Sequence, residues 1–461
     1  MNYAEFINSK KHSASESGFE PLWFPTARPL FDFQEHIADK AIRKGRMGVF
    51  IDTGLGKTAV ALTIAQNIVL KTNKKVLILT PLAVAFQFLK EAAEIGINDI
   101  EHTKDGKHTK KIVLCNYERL HYLKSDDFEC VICDESSVLK NYSGKIKNQI
   151  TEFVKKVPYR FLLSATPAPN SFIEVGTSSE ALGYMGYMDM LSTFFASVKD
   201  TQDSRDKNIG ENYYLKPHAK NSFFEWINTW AVMLKTPSDL GFSDEGYILP
   251  KLITNNHWVK SEIYSDETGQ MLLLPIIAKD MHEIRNEQKQ TEKSRCEMAV
   301  QLANNKTSVY WCNTNGESEL LDKMDKNAVE ITGSQSIEQK EETLKAFVNC
   351  EIPRIITKSK ITGFGLNMQH CCHTVYFPTF SFEQWYQSVR RFWRFGQKNE
   401  VTVDVVLSAG QERILQALNE KQEKALDLYE QLLKSINSNY KEKELKALVK
   451  MEMPTFIGAT A

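Results

Sequence analysis

The chain has 461 residues, of which 42% are hydrophobic and 25% charged, a composition typical of soluble globular proteins and sufficient for about two to four domains. Its formal net charge of −1 argues neither for nor against nucleic acid, because a basic groove is a local feature. The composition excludes a disordered chain, and no apolar run approaches the roughly 20 residues of a membrane helix.

The start of the chain and the cysteine content indicate the cellular compartment in which the protein acts. Met1 to Lys11 is polar and charged, which does not match a secretory signal peptide. The 8 cysteines are too sparse for a disulfide scaffold, and several lie in apolar runs where reduced cysteine packs as a small hydrophobe. These features predict a protein of the reducing cytoplasm.

Short apolar runs alternate with helical stretches in the first third of the chain. Near-continuous apolar strands between helices predict a parallel sheet covered on both faces. A helix is predicted from about Lys57 to Leu70. The predicted strands are Met47–Ile51, Val76–Thr80, Ile112–Cys115, Cys130–Cys133 and Arg160–Leu163.

Residues 171–250 differ, because they are rich in Met, Phe, Tyr and Trp and contain few β-branched runs. Helical spacing at Ala181–Phe195 and Phe223–Leu234 predicts a helical insertion. The spacing favours core packing over base stacking for four of its aromatic residues. These are Phe223, Phe224, Trp226 and Trp230.

The α/β pattern returns after a highly charged stretch at residues 279–297, which predicts a solvated helix face. In the tail, helical spacing predicts a helix packed on the second core, with a partner-binding helix as the alternative. Its apolar positions are Leu418, Ala425, Leu428, Leu432 and Ile436. The predicted strands of the second core are Val309–Cys312, Val329–Thr332, Arg354–Thr357, Thr374–Phe377 and Val401–Leu407.

These patterns predict an α/β fold with two parallel-sheet cores. The first domain is predicted at 1–170, the helical insertion at 171–250, a linker with a helical lead-in at 251–300, the second domain at 301–415 and a helical tail at 416–461.

Asp52 to Thr58 follows a predicted strand and opens a helix, which is the context of a phosphate-binding loop. Its glycines let backbone N–H groups approach phosphate oxygens, and the helix N-terminus favours negative charge. Lys57 is expected to reach the β- and γ-phosphates, and Thr58 to bind Mg²⁺. The full pattern has a glycine where this chain has Ile51.

Asp134 and Glu135 end an apolar strand at the sheet edge where such folds bind ligands. A nucleotide site needs a carboxylate for the metal, here Asp134, and a group that orients the attacking water, here Glu135. Arg391 and Arg394 are three residues apart and share one face if the segment is helical. They could stabilise charge on a transferred phosphoryl group.

Two metal-like spacings favour structural roles. Cys130 and Cys133 lie in an apolar strand whose side chains alternate between faces. His370 to His373 are adjacent residues, which rarely supply four tetrahedral ligands.

Eight segments, in family order from about Leu30 to Ile414, resemble the motifs of superfamily 2 helicases, and most of all their Snf-type branch, whose phosphate loop also lacks the first glycine. The insertion, with Gly183–Met185 and Pro237–Phe242, resembles that of compact bacteriophage-encoded helicases. The segments are Leu30–Gln34, Asp52–Thr58, Thr80–Leu82, Asn116–Glu118, Asp134–Ser137, Ser164–Asn170, Thr362–Asn367 and Gln387–Gln397.

The resemblance implies two RecA-like domains that bind ATP and Mg²⁺ between them. It implies catalytic roles for Lys57, Asp134, Glu135, Arg391 and Arg394, with Thr58 and Asp134 as the Mg²⁺ ligands. It implies nucleotide contacts by Gln34, Thr53, Gly54, Leu55, Gly56, Lys57, Thr58 and Gly365. It implies nucleic-acid contacts by Thr80, Pro81, Asn116, Thr362, Gly363 and Asn367, and coupling by Ser164, Ala165 and Thr166.

The sequence therefore predicts an ATP-dependent DNA translocase or helicase acting on duplex or branched DNA in replication, recombination or repair. An RNA helicase is one alternative. A nucleotide-dependent switch that recruits a protein partner, through the tail helix or the insertion, is another. No membrane association is expected, and a phage-encoded protein would act in the bacterial host cytoplasm.

Overall fold

The computed structural model describes residues 17–81, 84–140, 144–168, 171–197, 213–259, 281–362 and 367–408, and parts of 411–431. Several positions singled out in the sequence lie outside the described residues. They are Leu82, Pro169, Asn170, Gly363, Phe364, Gly365, Leu366, the side chain of Thr362, and the tail positions Ala425, Leu428, Leu432 and Ile436.

The first core is a seven-stranded parallel sheet with the strand order β3-β4-β2-β5-β6-β1-β9. Its central strands are almost wholly buried because both faces are covered. The strands are β1 (Arg46–Ile51), β2 (Lys75–Thr80), β3 (Ile100–His102), β4 (Ile112–Asn116), β5 (Phe128–Cys133), β6 (Tyr159–Leu163) and β9 (Ala231–Leu234). The five strands predicted for this core are confirmed.

Alternate residues of each strand enter two separate apolar clusters, one on each face of this sheet. Along β5, Cys133 packs in one cluster and Cys130 in the other, and both thiols are buried. This is the alternation that the apolar strand predicted. Helices on the two faces are α1 (Asp32–Lys44), α2 (Lys57–Thr72), α3 (Ala85–Glu94) and α4 (Lys145–Lys155).

Residues 171–250 combine helices with strands. The helices are α5 (Val175–Leu182), α6 (Tyr187–Phe194) and α7 (Lys220–Asn228), and an antiparallel pair is formed by β7 (Phe195–Ser197) and β8 (Tyr213–Leu215). Phe223, Phe224, Trp226 and Trp230 are all buried in the first core, as their spacing predicted.

The expected helix Phe223–Leu234 is wrong in its second half. The helix ends at Asn228, and Ala231–Leu234 forms β9, which pairs in parallel with β1 and is buried throughout. Only two residues lie between the helix and the strand, and periodicity does not separate the two elements, because a run of four apolar residues fits either structure. The segment expected as a helical insertion thus also completes the first sheet.

The second core is a six-stranded parallel sheet with the order β10-β15-β14-β11-β13-β12. All five predicted strands are present, and β10 is added from the segment expected to be a linker. The strands are β10 (Leu252–Val259), β11 (Ser308–Cys312), β12 (Ala328–Glu330), β13 (Arg354–Lys358), β14 (His373–Tyr376) and β15 (Val401–Ser408). The two parallel-sheet cores of the predicted fold class are confirmed.

The helices of the second half are α8 (Met281–Gln290), α9 (Glu292–Leu302), α10 (Asn315–Met324), α11 (Ile337–Val348), α12 (Ser359–Thr362) and α13 (Phe382–Val389). From the tail, Leu418 is buried against Ile414 and Phe382 of the second core. No helix among the described residues is long and apolar enough to cross a membrane.

Asp404 joins neighbouring strands of the second sheet. Its carboxylate accepts hydrogen bonds from Asn255 Nδ2 (2.9 Å) and His257 Nε2 (3.0 Å) on β10, and from His373 Nε2 (2.8 Å) on β14. Burial opposes ionisation, but these hydrogen bonds hold the pKa of Asp404 well below its usual range. The ring of His373 also contacts Ser308 Oγ on β11 at 2.5 Å. The network therefore spans four adjacent strands.

We expect Asp404→Ala to lower the free energy of unfolding by about 3 kcal/mol, because the substitution leaves hydrogen-bond donors near the sheet interior without their acceptor. Urea denaturation followed by circular dichroism measures the effect. Asp322→Ala on α10, at an exposed aspartate, is the control and is expected to change stability by less than about 0.5 kcal/mol. Equal losses in both variants would contradict the role given to Asp404.

Candidate active site

The loop between β1 and α2 has the backbone of a phosphate-binding loop. Gly54 and Gly56 have φ angles of +86° and +82°, which side chains other than glycine rarely tolerate. A Cβ atom on Gly54 would lie 2.7 Å from the backbone nitrogen of Phe395, and one on Gly56 would clash with the Gln34 amide. The loop is therefore tightly enclosed, and it leads directly into the N-terminus of α2.

Lys57 lies at the start of α2, and its ammonium group folds back over the loop. Its Nζ donates to the carbonyl oxygens of Ile51 (3.1 Å) and Asp52 (3.4 Å). Burial lowers the pKa of Lys57, and the charges of Glu135 and Asp134 act in the opposite direction. The ammonium thus lies close to both carboxylates that were predicted from the sequence.

Asp134 and Glu135 follow directly on β5, at the carboxyl edge of the first sheet, and both are buried. The backbone of Asp134 accepts a hydrogen bond from the Tyr117 hydroxyl at 2.7 Å. Glu135 has φ +50°, an unusual conformation for a residue with a side chain. Burial and then the neighbouring Glu135 charge raise the pKa of Asp134 to about 7, while Lys57 lowers it. A cation bound beside Asp134 would favour the ionised form of that carboxylate.

Arg391 and Arg394 approach this site from the second core. They lie after the end of α13 at Val389, so the single helical face assumed in the sequence prediction is absent. Both nevertheless line the same cavity. Burial lowers the pKa of Arg391 against the charges of Glu135 and Asp134. Burial and then the Arg391 charge lower the pKa of Arg394 to about 10.

A cavity of about 450 Å³ lies between the two cores. Lys57, Arg391 and Arg394 line it together with Asp134 and Glu135, while Arg28 and Glu91 line it as an ion pair. This set of charges suits a ligand that carries phosphate and metal charge. Of the predicted site residues it is lined by Gln34, Thr53, Gly54, Gly56, Lys57, Thr58, Asp134, Glu135, Asn367, Arg391 and Arg394. Leu55 is buried within the loop itself.

Gln34 lines the cavity, but both ends of its amide are already bonded to protein. Its Oε1 accepts from the backbone N–H of Phe31 (3.1 Å), and its Nε2 donates to the Leu55 carbonyl (3.0 Å). In this structure the Gln34 side chain therefore links the start of α1 to the phosphate loop by hydrogen bonds.

The predicted coupling residues follow β6, beside the phosphate loop. Ser164 donates its backbone N–H to Val49 of β1 (3.3 Å), and its hydroxyl accepts from the N–H of Thr166 (3.0 Å). Ala165 and Thr166 are also buried. The first of these hydrogen bonds joins the end of β6 to β1, the strand that leads into the phosphate loop.

Of the predicted nucleic-acid contacts that the structure describes, two are buried. Thr80 and Asn116 are fully buried, so the structure contradicts direct side-chain contact at these two positions. Asn116 instead bonds His102 (3.1 Å) and the carbonyl of Pro81 (3.4 Å), because it closes the ends of adjacent strands. Asn367 lines the cavity between the cores.

Sequence reasoning missed several cavity residues that come from loops far apart in the chain. Arg28 is paired with Glu91 of α3 at 2.7 Å. Phe395 also borders the cavity and stacks on Tyr247 with ring centroids 4.2 Å apart. Gln369 supports this segment by donating to the carbonyl oxygen of Phe395. No motif marks Arg28 or Gln369, and Phe395 lies in the motif segment Gln387–Gln397 without a role assigned to it from the sequence. Only the tertiary structure brings the three residues together.

Two protein-family models match the chain in succession. Residues 31–174 match the DEAD/DEAH box helicase model, and residues 290–396 match the helicase conserved C-terminal domain model. No curated protein matches the chain.

Among solved structures, the chain is similar to the Sulfolobus solfataricus SWI2/SNF2 ATPase core in complex with dsDNA, with 16% identity and a TM-score of 0.40. That match covers 89% of this chain and 95% of the other. The two family models correspond to the two parallel-sheet cores, and the cavity lies between them. Each core therefore matches a helicase family model, the first core the DEAD/DEAH box helicase model and the second core the helicase conserved C-terminal domain model.

Proposed function

We propose that this chain is an ATP-dependent DNA translocase of the Snf-type branch of superfamily 2, which hydrolyses ATP to ADP and phosphate while moving on duplex or branched DNA. The observation that carries the proposal is the cavity between the cores. Lys57 and Glu135 line it from the first core, and Arg391 and Arg394 line it from the second. A composite site of this kind is complete only when both cores contribute.

In this proposal the triphosphate lies along the loop from Thr53 to Thr58. Backbone N–H groups of the loop and the N-terminus of α2 bind phosphate oxygens. When the triphosphate binds, Lys57 gives up its hydrogen bonds to the loop carbonyls and bonds the β- and γ-phosphates instead. The negative charge of these phosphates offsets the cost of burying the Lys57 ammonium.

The residues present fit a magnesium ion. The Thr58 hydroxyl and the Asp134 carboxylate both face the cavity, and oxygen ligands of this kind, completed by phosphate oxygens, are what Mg²⁺ prefers. When bound, the ion neutralises charge on the β- and γ-phosphates.

Hydrolysis then depends on groups of both cores. Glu135 orients the attacking water, and the guanidinium groups of Arg391 and Arg394 stabilise the charge that develops on the transferred phosphoryl group. Arg391 is buried and Arg394 is half-buried in the closed arrangement, where low dielectric strengthens this interaction. Release of phosphate removes the charge that draws the arginines inward, which weakens the closed arrangement.

Movement on DNA would follow from cycles of closing and opening of the two cores. With Thr80 and Asn116 buried, we assign DNA contact to the backbone around Pro81 and to Thr362, Gly363 and Asn367. Such contacts are mainly to phosphates, so binding is expected to fall by orders of magnitude between roughly 50 and 200 mM salt.

Steady-state ATP hydrolysis at low salt tests the proposal. We expect duplex or branched DNA to stimulate turnover more strongly than single-stranded DNA or RNA, because the motifs resemble those of duplex-tracking Snf-type enzymes. A triplex-displacement assay then reports movement along duplex DNA. The matched control is the same reaction at high salt, which removes the stimulation without removing the nucleotide site.

The other results would replace parts of the proposal. Stimulation by RNA alone would make the protein an RNA helicase. Turnover indifferent to every nucleic acid, with nucleotide-dependent binding of a protein to the tail helix or the insertion, would make it a switch. We place a DNA translocase of this kind in replication, recombination or repair, in the host cytoplasm if the protein is phage-encoded.

A further inference from the structure

Helix α13 presents one face to the first core. Glu383, Tyr386 and Arg390 are three or four residues apart, so they lie on the same side of the helix and its terminus. The other face is anchored in the second core, where Val389 is buried and Ser388 Oγ is 2.9 Å from Ser359 Oγ. The helix therefore bridges the two cores directly.

Asp52, the first residue of the phosphate loop, receives two of these contacts. The Tyr386 hydroxyl donates to Asp52 Oδ1 at 2.5 Å, and Arg390 forms an ion pair with Asp52 Oδ2. The side chains of Arg390 and Asp52 are only 6% and 8% exposed. Arg390 is further held over the Trp393 ring, with 4.9 Å from its guanidinium carbon to the ring centroid. Buried charges of this kind are stable only with their partner in place.

A second contact lies beside the carboxylates of the site. Glu383, in the first turn of α13, pairs with Lys140 of the 3₁₀ helix Ser136–Lys140, which follows Glu135. Glu383 is buried, so this pair also forms only while the cores are together. The helix is thus bound to both functional loops of the first core.

These contacts enclose the two arginines of the site. Arg390 is fixed on Asp52 at one end of the segment, and Phe395 packs on Gly54 at the other, so closely that a Cβ on Gly54 would not fit. Arg391 and Arg394 lie between these two attachment points. Their guanidinium groups can only occupy a narrow range of positions relative to the phosphate loop.

We propose that Lys140, Glu383, Tyr386, Arg390 and Asp52 form a closure clamp that holds the second core on the phosphate loop and positions Arg391 and Arg394 for hydrolysis. The members of the closure clamp are positioning residues, which act through the two arginines. This inference rests on the proposed function, because it explains how the composite site becomes complete.

Charge reversal tests the clamp without touching the nucleotide-lining residues. We expect Lys140→Glu and Glu383→Lys each to lower kcat by about tenfold, and the double variant to recover to within about threefold of wild type. Binding of a fluorescent ATP analogue is expected to change less than about threefold, since Lys57 and its loop are intact. The exposed pair Lys293 and Glu297, which lies within α9, gives the matched control reversals.

A second readout does not depend on hydrolysis. Small-angle X-ray scattering of the nucleotide-free protein is expected to show a larger radius of gyration for each single reversal, and the wild-type value for the double variant. Tyr386→Phe removes only one hydroxyl group, so we expect this variant to stay folded. Its kcat is expected to fall, as in the single charge reversals.

Failure of the proposed function and failure of the closure clamp can be told apart. A wild-type protein that does not hydrolyse ATP would overturn the proposed function, while scattering would still report whether the clamp holds the cores together. Single reversals with wild-type kcat and dimensions, or a double variant no better than the worse single one, would overturn the clamp.

Discussion

Lys57→Ala is expected to lower ATP turnover by at least about 100-fold, to the background of the assay, because a preorganised charge at the transferred group is lost. In the structure the Lys57 ammonium is held by two loop carbonyls and lies close to Asp134 and Glu135. Alanine removes this cation but leaves the loop glycines and the backbone N–H groups. Phosphate release at saturating ATP and DNA measures the effect.

The control for this prediction is Lys90→Ala, at an exposed lysine of α3. We expect this variant to keep wild-type turnover. A folded Lys57→Ala protein that hydrolyses ATP at the normal rate would remove the loop from the nucleotide site.

Arg394→Ala is expected to separate nucleotide binding from hydrolysis. Arginine residues that reach a transferred phosphoryl group contribute about 10³–10⁵-fold to the rate, and Arg394 reaches the cavity from the second core while the loop of the first core holds the nucleotide. Binding of a fluorescent ATP analogue should therefore remain close to wild type, and single-turnover hydrolysis should slow by a factor of this order.

Arg394→Lys refines the test, because lysine keeps the charge but lacks the planar fork of the guanidinium group. We expect it to recover only a small part of the lost rate. Arg285→Ala, at an exposed arginine of α8, serves as the unaffected control. An unchanged rate in Arg394→Ala would exclude this residue from the catalytic role.

Most of the fold could be predicted because parallel strands buried on both faces have continuous apolar sequences. The runs of β2, β4 and β5 are of this kind, and the structure places them where the sequence did. The phosphate loop could also be predicted, since its glycines are required by positive φ angles.

The strands that were missed are short or lie at a sheet edge. β3 has three half-buried residues, β9 is a four-residue apolar run that begins soon after a helix, and every residue of β10 is half-buried or exposed. Each depends on a partner strand distant in the chain, such as β15 for β10. Local sequence contains no signal for such a partner.

The motif residues of the site could be predicted from the sequence, but the side-chain contacts between distant segments could not. Lys57, Asp134, Glu135, Arg391 and Arg394 could be found because their chemistry requires these residue types near a strand end. The pairing of Asp52 with Arg390, across 338 positions, could not be found, because either residue alone resembles an ordinary surface charge. The burial of Thr80 and Asn116 could likewise not be predicted from the sequence, since threonine and asparagine also occur on exposed loops.

The position of β9 has a consequence for the order in which the protein is made. β1 carries the phosphate loop, and its neighbour β9 is synthesised roughly 180 residues later. Until then the backbone of β1 is an open edge on the ribosome, able to pair with another chain. A fragment that stops at residue 170 would keep that edge permanently. The nascent chain is therefore most exposed to aggregation while residues 171–230 are translated, and slow codons in this stretch would prolong the risk.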